Sequence, residues 1–298
     1  MRSRQGSRTA EAAAAARAHH HRHDAPRVFE DPYALKLTSP AWRRVIESPL
    51  LDRLVFRLLF AKLRPVGAQV LARSRYAEDR LAEAVARGVG QYVIVGAGFD
   101  SFALRRRDLA DRLRIFELDH PATQAGKRDR LARLHLDLPP NLTFVPIDFE
   151  HDELDEALAR SRYAADLPAF YSWLGTIAYL PVAATLRTLQ SISTFAAPGS
   201  EIVFDYLVPT TTLSEPDRRV VEAVQRFAER RGEPIVGAFA PEDLHEEVGR
   251  LGFEVVEDLS GRAQHERYFA GRRDGLSPMP ASHCAHLRLA PTAARRRR

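Results

Sequence analysis

Gln91-Tyr92-Val93-Ile94-Val95-Gly96-Ala97-Gly98-Phe99-Asp100-Ser101 is the stretch that decides the fold. Its first five residues form a nearly continuous apolar run, the pattern of a strand buried on both faces. Gly96 and Gly98 then allow a tight turn and let a ligand approach the backbone closely. Asp100 or Ser101 can cap the helix expected over about 101–112.

Upstream, Ala77, Leu81, Ala84 and Val85 share one face of a helix over 77–87, and Gly88 stops it. Residues 41–63 carry Trp42, Val45, Ile46, Leu50, Leu54, Leu58 and Leu59, which read as helices packed beside the sheet. Downstream, strands are expected at Arg114–Asp119, Leu142–Ile147, Leu167–Ser172, Glu201–Leu207, 253–257 and His283–Leu289. Pro146 cannot donate to a ladder, so the third strand ends there or lies on an edge. Helices fall between them: Pro121 to about Leu134, His151–Arg160, and Pro181 to near Gly199. The segment 213–245 interrupts the alternation with one amphipathic helix (Val220, Val221, Val224, Phe227, Ala228) stopped by Gly232, and another helix follows over 241–250. Alternating strands and helices predict an α/β fold, a mostly parallel, doubly wound Rossmann-like sheet. Such sheets bind ligands at the carboxyl ends of their strands, near the topological switch point.

The chain has 298 residues and is 45% hydrophobic, enough for a sizeable core. No stretch approaches the roughly 20 apolar residues of a membrane span, and residues 1–24 lack the apolar segment of a secretory signal. A single cysteine, Cys284, excludes an internal disulfide and fits a reducing cytoplasm. The net charge of +5 sits at the ends, in Arg2, Arg4, Arg8 and Arg295 to Arg298; the rest carries two more acids than bases. Specific nucleic-acid binding is therefore not expected. Residues 1–26 read as a flexible arm, 27–290 as a single domain and 291–298 as a basic tail. Ala12 to Ala18 favours helix within the arm. His19, His20, His21 and His23 are read as a solvated tail and not a metal site, because no cysteine or acid stands at ligand spacing in sequence.

A dinucleotide fingerprint runs G-x-G-x-x-G, and here its third glycine is Ser101. Nicotinamide cofactors need their pyrophosphate held at that helix N-terminus. S-adenosylmethionine (SAM) has no phosphate, and a shorter glycine turn with a nearby acid suits it. Glu117 and Asp119 end the second strand, 21 and 23 residues after Gly96. Asp119, the more carboxyl-terminal, is the expected acceptor for ribose hydroxyls. Glu117 is either a second site acid or a buried carboxylate satisfied by backbone N–H groups or Arg73. Asp148-Phe149 ends the third strand, where an acid can accept from an adenine amino group while the ring covers the base; the alternative for Asp148 is a helix cap.

Five stretches in this order resemble one family: Ala72-Arg73-Ser74-Arg75-Tyr76-Ala77-Glu78-Asp79, the turn from Val95 to Ser101, Phe116-Glu117-Leu118-Asp119-His120-Pro121, Val145-Pro146-Ile147-Asp148-Phe149, and Phe170-Tyr171-Ser172-Trp173-Leu174-Gly175. Together they resemble the leucine carboxyl methyltransferase-like family of SAM-dependent methyltransferases, and most closely its bacterial O-methyltransferase branch, often linked to secondary metabolism. The resemblance spans roughly residues 17–290. It implies a class I methyltransferase fold with a seven-stranded sheet and a helical N-terminal addition. It implies that Arg73 pairs with the SAM carboxylate, a task a guanidinium fork suits; the alternative is an ion pair with Glu78 or Asp79. It places Gly96 and Gly98 against the methionine part, Asp119 at the ribose, and Asp148 with Phe149 at the adenine; Ala97, His120 and Ser172 complete the expected cofactor-binding set. One departure matters. Leu174 stands where the leucine carboxyl methyltransferases carry a glutamate facing the cofactor.

The expected reaction is O-methylation of a small-molecule carboxylate or hydroxyl. A carboxylate needs no base, whereas an alcohol or phenol does. Candidate bases by strand-end position are Asp205, Tyr206 and His120, with His265 and Tyr268 from the late loop; none is singled out. The segment 213–245 is expected to cover the acceptor pocket, with residues 20–40 as the other wall. A nicotinamide-dependent oxidoreductase, which Ser101 argues against, and a non-catalytic SAM-binding module, which Leu174 allows, are the competing readings.

Overall fold

The computed structural model describes residues 3–149, 151–230 and 234–291. Seven strands form one sheet: β1 (Gln91–Val95), β2 (Arg114–Asp119), β3 (Leu142–Pro146), β4 (Phe170–Trp173), β5 (Glu201–Leu207), β6 (Phe253–Ser260) and β7 (Ser282–Leu289). Their order is β3-β2-β1-β4-β5-β7-β6. The first five pair in parallel, and β7 runs antiparallel between β5 and β6. The chain leaves β1 toward β2 on one side and reaches β4 on the other, so the switch point lies between β1 and β4. Pro146 closes β3, which is also an edge strand, satisfying both conditions set by its missing N–H.

Strand alternation splits the core into two layers. Val93 and Val95 of β1 join Phe116, Leu118, Tyr171 and Trp173 on one face, under the helices Leu154–Ala159, Val182–Phe195 and Pro241–Arg250. Tyr92 and Ile94 join Ile115, Phe170 and Val203 on the other, under Tyr76, Leu81 and Ala84 of the helix Arg64–Ala86. Each fully buried Val, Leu or Ile contributes about 1.5–3 kcal/mol, so these layers hold the strand ends in place.

Several elements differ from their sequence expectation. The helix after the glycine turn is one turn long, Phe102–Arg105, followed by a 3-10 turn at Arg107–Leu109. Asp100 supplies the first side-chain acceptor there, to Phe102 N at 2.7 Å. β4 starts three residues later than expected, and β6 runs three residues further. In 41–63 only Ile46 and Asp52 are buried, while Leu50 is 83% and Leu58 68% exposed, so this stretch does not pack fully beside the sheet. Gly232 and the basic tail from 292 onward lie outside the described residues.

The largest correction concerns the N-terminus. Residues 3–23, read as a flexible arm, form a continuous helix. Ala14, Ala15 and Ala18 are buried, packed with Leu37, Phe99 and Leu104 or with Ala34 and Ile46. His20 is buried too, with Nδ1 2.7 Å from Asp24 and Nε2 accepting from Val28 N at 2.8 Å. Small alanines let this helix lie close against its neighbours, and the sequence showed the helix propensity but not the partner surface.

Candidate active site

The turn after β1 is built as its glycines suggest. The N–H groups of Gly96 and Ala97 both donate to Leu118 O, at 2.9 and 3.0 Å, folding the chain back over the end of β2. Gly96 and Gly98 have φ of +70° and +51°, values that L side chains rarely adopt. The Gly98 N–H donates to Asp119 Oδ2 at 2.6 Å, and the His120 N–H donates to Asp119 Oδ1 at 2.7 Å. Burial pushes the Asp119 carboxyl above its ordinary range, opposed by these two N–H donors. Glycine turn and acid thus form one unit at the carboxyl end of β1 and β2.

The N-terminal helix roofs this unit. A Cβ on Gly98 would stand 2.9 Å from Ala10 Cβ, and Arg17 Nη2 donates to Phe99 O at 2.7 Å. Arg17 is anchored in turn by Asp31, with Nε to Oδ2 at 2.9 Å.

Across the switch point, Gly175 and Thr176 follow β4. Arg73 lies against Gly175 so closely that a Cβ there would stand 2.3 Å from its guanidinium. Its partner is neither Glu78 nor Asp79: Nη1 donates to Asp205 Oδ2 at 2.9 Å. Asp205, at 4% exposure, also accepts from Gln69 Nε2 at 3.1 Å and Gly175 N at 2.6 Å. The guanidinium therefore stands at the end of β4 against Gly175, held by a buried acid.

Thr176 was missed in the sequence. Its methyl is 3.1 Å from the position of a Cβ on Gly96, and its Oγ1 is buried with no hydrogen-bond partner among the described residues. A buried hydroxyl without a partner costs about 1–3 kcal/mol, and the methyl of the same side chain packs against the glycine turn. Only its place two residues after Leu174 could have drawn attention to it.

The remaining expected residues divide. Ile147 N donates to Asp119 O at 3.0 Å, which brings the start of the Asp148-Phe149 stretch to the end of β2. Phe149 is 45% exposed, a ring available to cover a ligand, and Asp148 meets His151 at 3.1 Å. The N-cap position of helix Leu154–Ala159 is Glu153, without a side-chain cap hydrogen bond, so Asp148 does not cap that helix. Ser172 does not face the turn with its hydroxyl: Oγ is buried and 2.8 Å from Tyr92 OH inside the sheet. Glu117 is buried against Lys127, with Nζ to Oε2 at 2.6 Å, a partner not anticipated, and burial pushes its carboxyl up to about 7. Leu174 packs half-buried on the core.

Each candidate base has a partner, at one ring nitrogen in the case of His120 and His265. Asp205 is bound by Arg73. His120 caps the helix Pro121–Arg133, accepting from Ala122 N at 3.2 Å. Tyr206 donates to Asp258 Oδ2 at 2.6 Å, and burial pushes its phenol well above the ordinary range. Tyr268 donates to Asp79 at 3.2 Å, and His265 Nδ1 lies 3.0 Å from Ser277 Oγ.

The donor set fits SAM. An acid beside a glycine turn, an arginine, a buried hydroxyl acceptor and a half-exposed ring match a ribose, a carboxylate, an ammonium and an adenine. No phosphate-binding helix start is present here, because the helix after the turn is a single turn long.

Comparison with known proteins decides the family. The model for "Leucine carboxyl methyltransferase" matches residues 10–193. The chain belongs to the leucine carboxyl methyltransferase family, a family of SAM-dependent methyltransferases. A Bacillus subtilis relative named "Putative S-adenosyl-L-methionine-dependent methyltransferase YktD" is 31% identical over 96% of this chain and 99% of its own. A Mycolicibacterium paratuberculosis relative of the same description is 30% identical over 85% of this chain and 86% of its own. Among solved structures, one named "a putative methyltransferase" from Thermobifida fusca aligns with a TM-score of 0.59 at 18% identity, covering 87% of this chain and 93% of that one. A DUF574 protein from Streptomyces avermitilis aligns with a TM-score of 0.59 at 15% identity, covering 92% and 96%. These two share the fold. The family match begins at residue 10, inside the N-terminal helix, so the roof over the glycine turn is part of the family's domain.

Proposed function

We propose that this member of the family methylates a small-molecule carboxylate at oxygen, with SAM as methyl donor bound at the β1–β4 switch point. The observation that carries the choice of acceptor is the engagement of all five candidate bases in caps, ion pairs or hydrogen bonds. SAM supplies an electrophilic methyl group. A carboxylate is already ionised at neutral pH and has no proton to lose, so the chain must bind, orient and exclude water, but need not supply a base. The family name, which specifies a carboxyl group, supports the same reading.

The residues divide this work. Asp119 accepts from the ribose hydroxyls, with its carboxylate already aimed by two N–H groups. Arg73 pairs with the methionine carboxylate, and Thr176 Oγ1 accepts from the ammonium in place of the absent glutamate. Asp148 and Phe149 hold the adenine. Helix Glu215–Glu229 and residues 235–240 cover the acceptor side: Val221 and Val224 pack on the core, and Val236 N donates at 2.9 Å to the carbonyl of Ala178, two residues after Thr176.

The test uses SAM carrying a labelled methyl group and a panel of small acids, phenols and alcohols. Label that enters the acids and is released as methanol by mild base is the ester expected here. Label entering only phenols or alcohols contradicts the carboxylate assignment.

A further inference from the structure

Among His19, His20, His21 and His23, the nearby acid Asp24 serves His20, and the fold supplies a second acid to His19 and His23. The helix Pro49–Asp52 brings Asp52 to the N-terminal helix from 33 residues away. Its Oδ1 is 2.7 Å from His19 Nδ1 and 3.6 Å from His23 Nε2. The two histidines are spaced i and i+4, so they share one helix face, with ring centroids 5.4 Å apart. All three ligand atoms lie within 4.8 Å of one another. His19 is fixed in orientation by stacking on Phe56, centroid to centroid 4.0 Å at 11°. The Asp52 side chain is 8% exposed, the histidine side chains 19% and 24%.

His20 is different. Both of its ring nitrogens are taken by Asp24 and Val28 N, which makes it a structural residue.

We propose that His19, His23 and Asp52 bind a divalent transition-metal ion of the zinc type, with solvent completing its coordination. Two imidazoles and one carboxylate suit zinc and cobalt, and are a poor set for magnesium or calcium. Metal–ligand bonds of about 2.0–2.2 Å place neighbouring ligand atoms about 3.2–3.5 Å apart. The present spacings bracket that range, so a small opening of the His19–Asp52 pair and a turn of His23 away from Ile46 O, now 2.8 Å off, complete the site. The ion would tie the N-terminal helix to the 49–52 turn. That same helix touches the glycine turn through Ala10 and Arg17, so the site would brace the roof of the cofactor pocket without touching the cofactor.

The full chain, stripped of metal, is titrated with Zn²⁺ against a competing chelating dye, and with Co²⁺ followed by its visible absorption. One saturable equivalent is expected, with tetrahedral-type cobalt bands. His23→Gln and Asp52→Asn each weaken it at least about tenfold. His151→Ala, which removes an exposed histidine elsewhere, leaves it unchanged. Circular dichroism and thermal unfolding without metal confirm that the variants fold. No saturable binding by the wild type, or wild-type affinity in either folded variant, overturns the proposal.

Discussion

Thr176 separates a stability role from a ligand role. Its buried Oγ1 has no partner among the described residues, so Thr176→Val removes an unsatisfied group while keeping the shape. The free protein is expected to be unchanged or up to about 1 kcal/mol more stable by urea unfolding. S-adenosylhomocysteine, which keeps the ammonium, is expected to bind about five- to twentyfold more weakly by calorimetry. A hydroxyl that served only the fold would move the first number down and leave the second alone. Arg17 acts through another residue. It holds Phe99 O against the N-terminal helix, and Arg17→Met should weaken homocysteine-analogue binding while also exposing the Asp31 charge, lowering stability by about 2–4 kcal/mol. Gly98→Ala should be worse than its size suggests, because φ is +51° and the new methyl meets Ala10.

At the scale of elements, the antiparallel pairing of β5 and β7 carries a buried clamp. Glu201 accepts from His286 Nε2 at 2.7 Å and from Arg87 Nη2 at 2.6 Å, with Arg288 at 3.4 Å. Burial alone would raise its carboxyl, but the His286 and Arg87 hydrogen bonds win and hold it at about 2. An unfolded glutamate titrates near about 4.3. The folded value is the lower one, so the clamp's stabilisation is complete above the unfolded value and is lost as pH falls through about 2. Glu201→Gln should cost about 2–3 kcal/mol at pH 7, measured by urea midpoints, with the gap to wild type closing as the buffer is taken below about pH 4. These elements were legible in sequence because period-2 burial and continuous apolar runs mark strands independently of what they pack on; β5 was found residue for residue. The short helix after the turn was not, because Asp100 and Ser101 advertise a start but nothing in sequence shows that Arg106 ends it one turn later.

For the whole molecule, the parts read from sequence were those whose signal is local. The glycine turn, Asp119 and the alternation of strands and helices need only neighbours in the chain. What escaped needed contacts between distant segments: the N-terminal helix over Gly98, Arg73 with Asp205, Glu117 with Lys127, Ser172 with Tyr92, and Asp52 beside two histidines. The His and Ala composition of residues 10–23 reads as a tail until a surface is placed against it. The exposed leucines at 50, 54, 58 and 59 are the converse case, apolar by pattern but left on the surface. The proposed cofactor site lies at the switch point, between the glycine turn with Asp119 on one side and Arg73 on the other. Calorimetric titration of the intact chain with S-adenosylhomocysteine, beside Asp119→Asn, tests it most directly. The account predicts micromolar binding by the wild type and at least about a tenfold loss in the folded variant, since a hydrogen bond to a charged acceptor is worth about 1.5–3 kcal/mol. Absent binding by the folded wild type, or equal affinity in the variant, would contradict it.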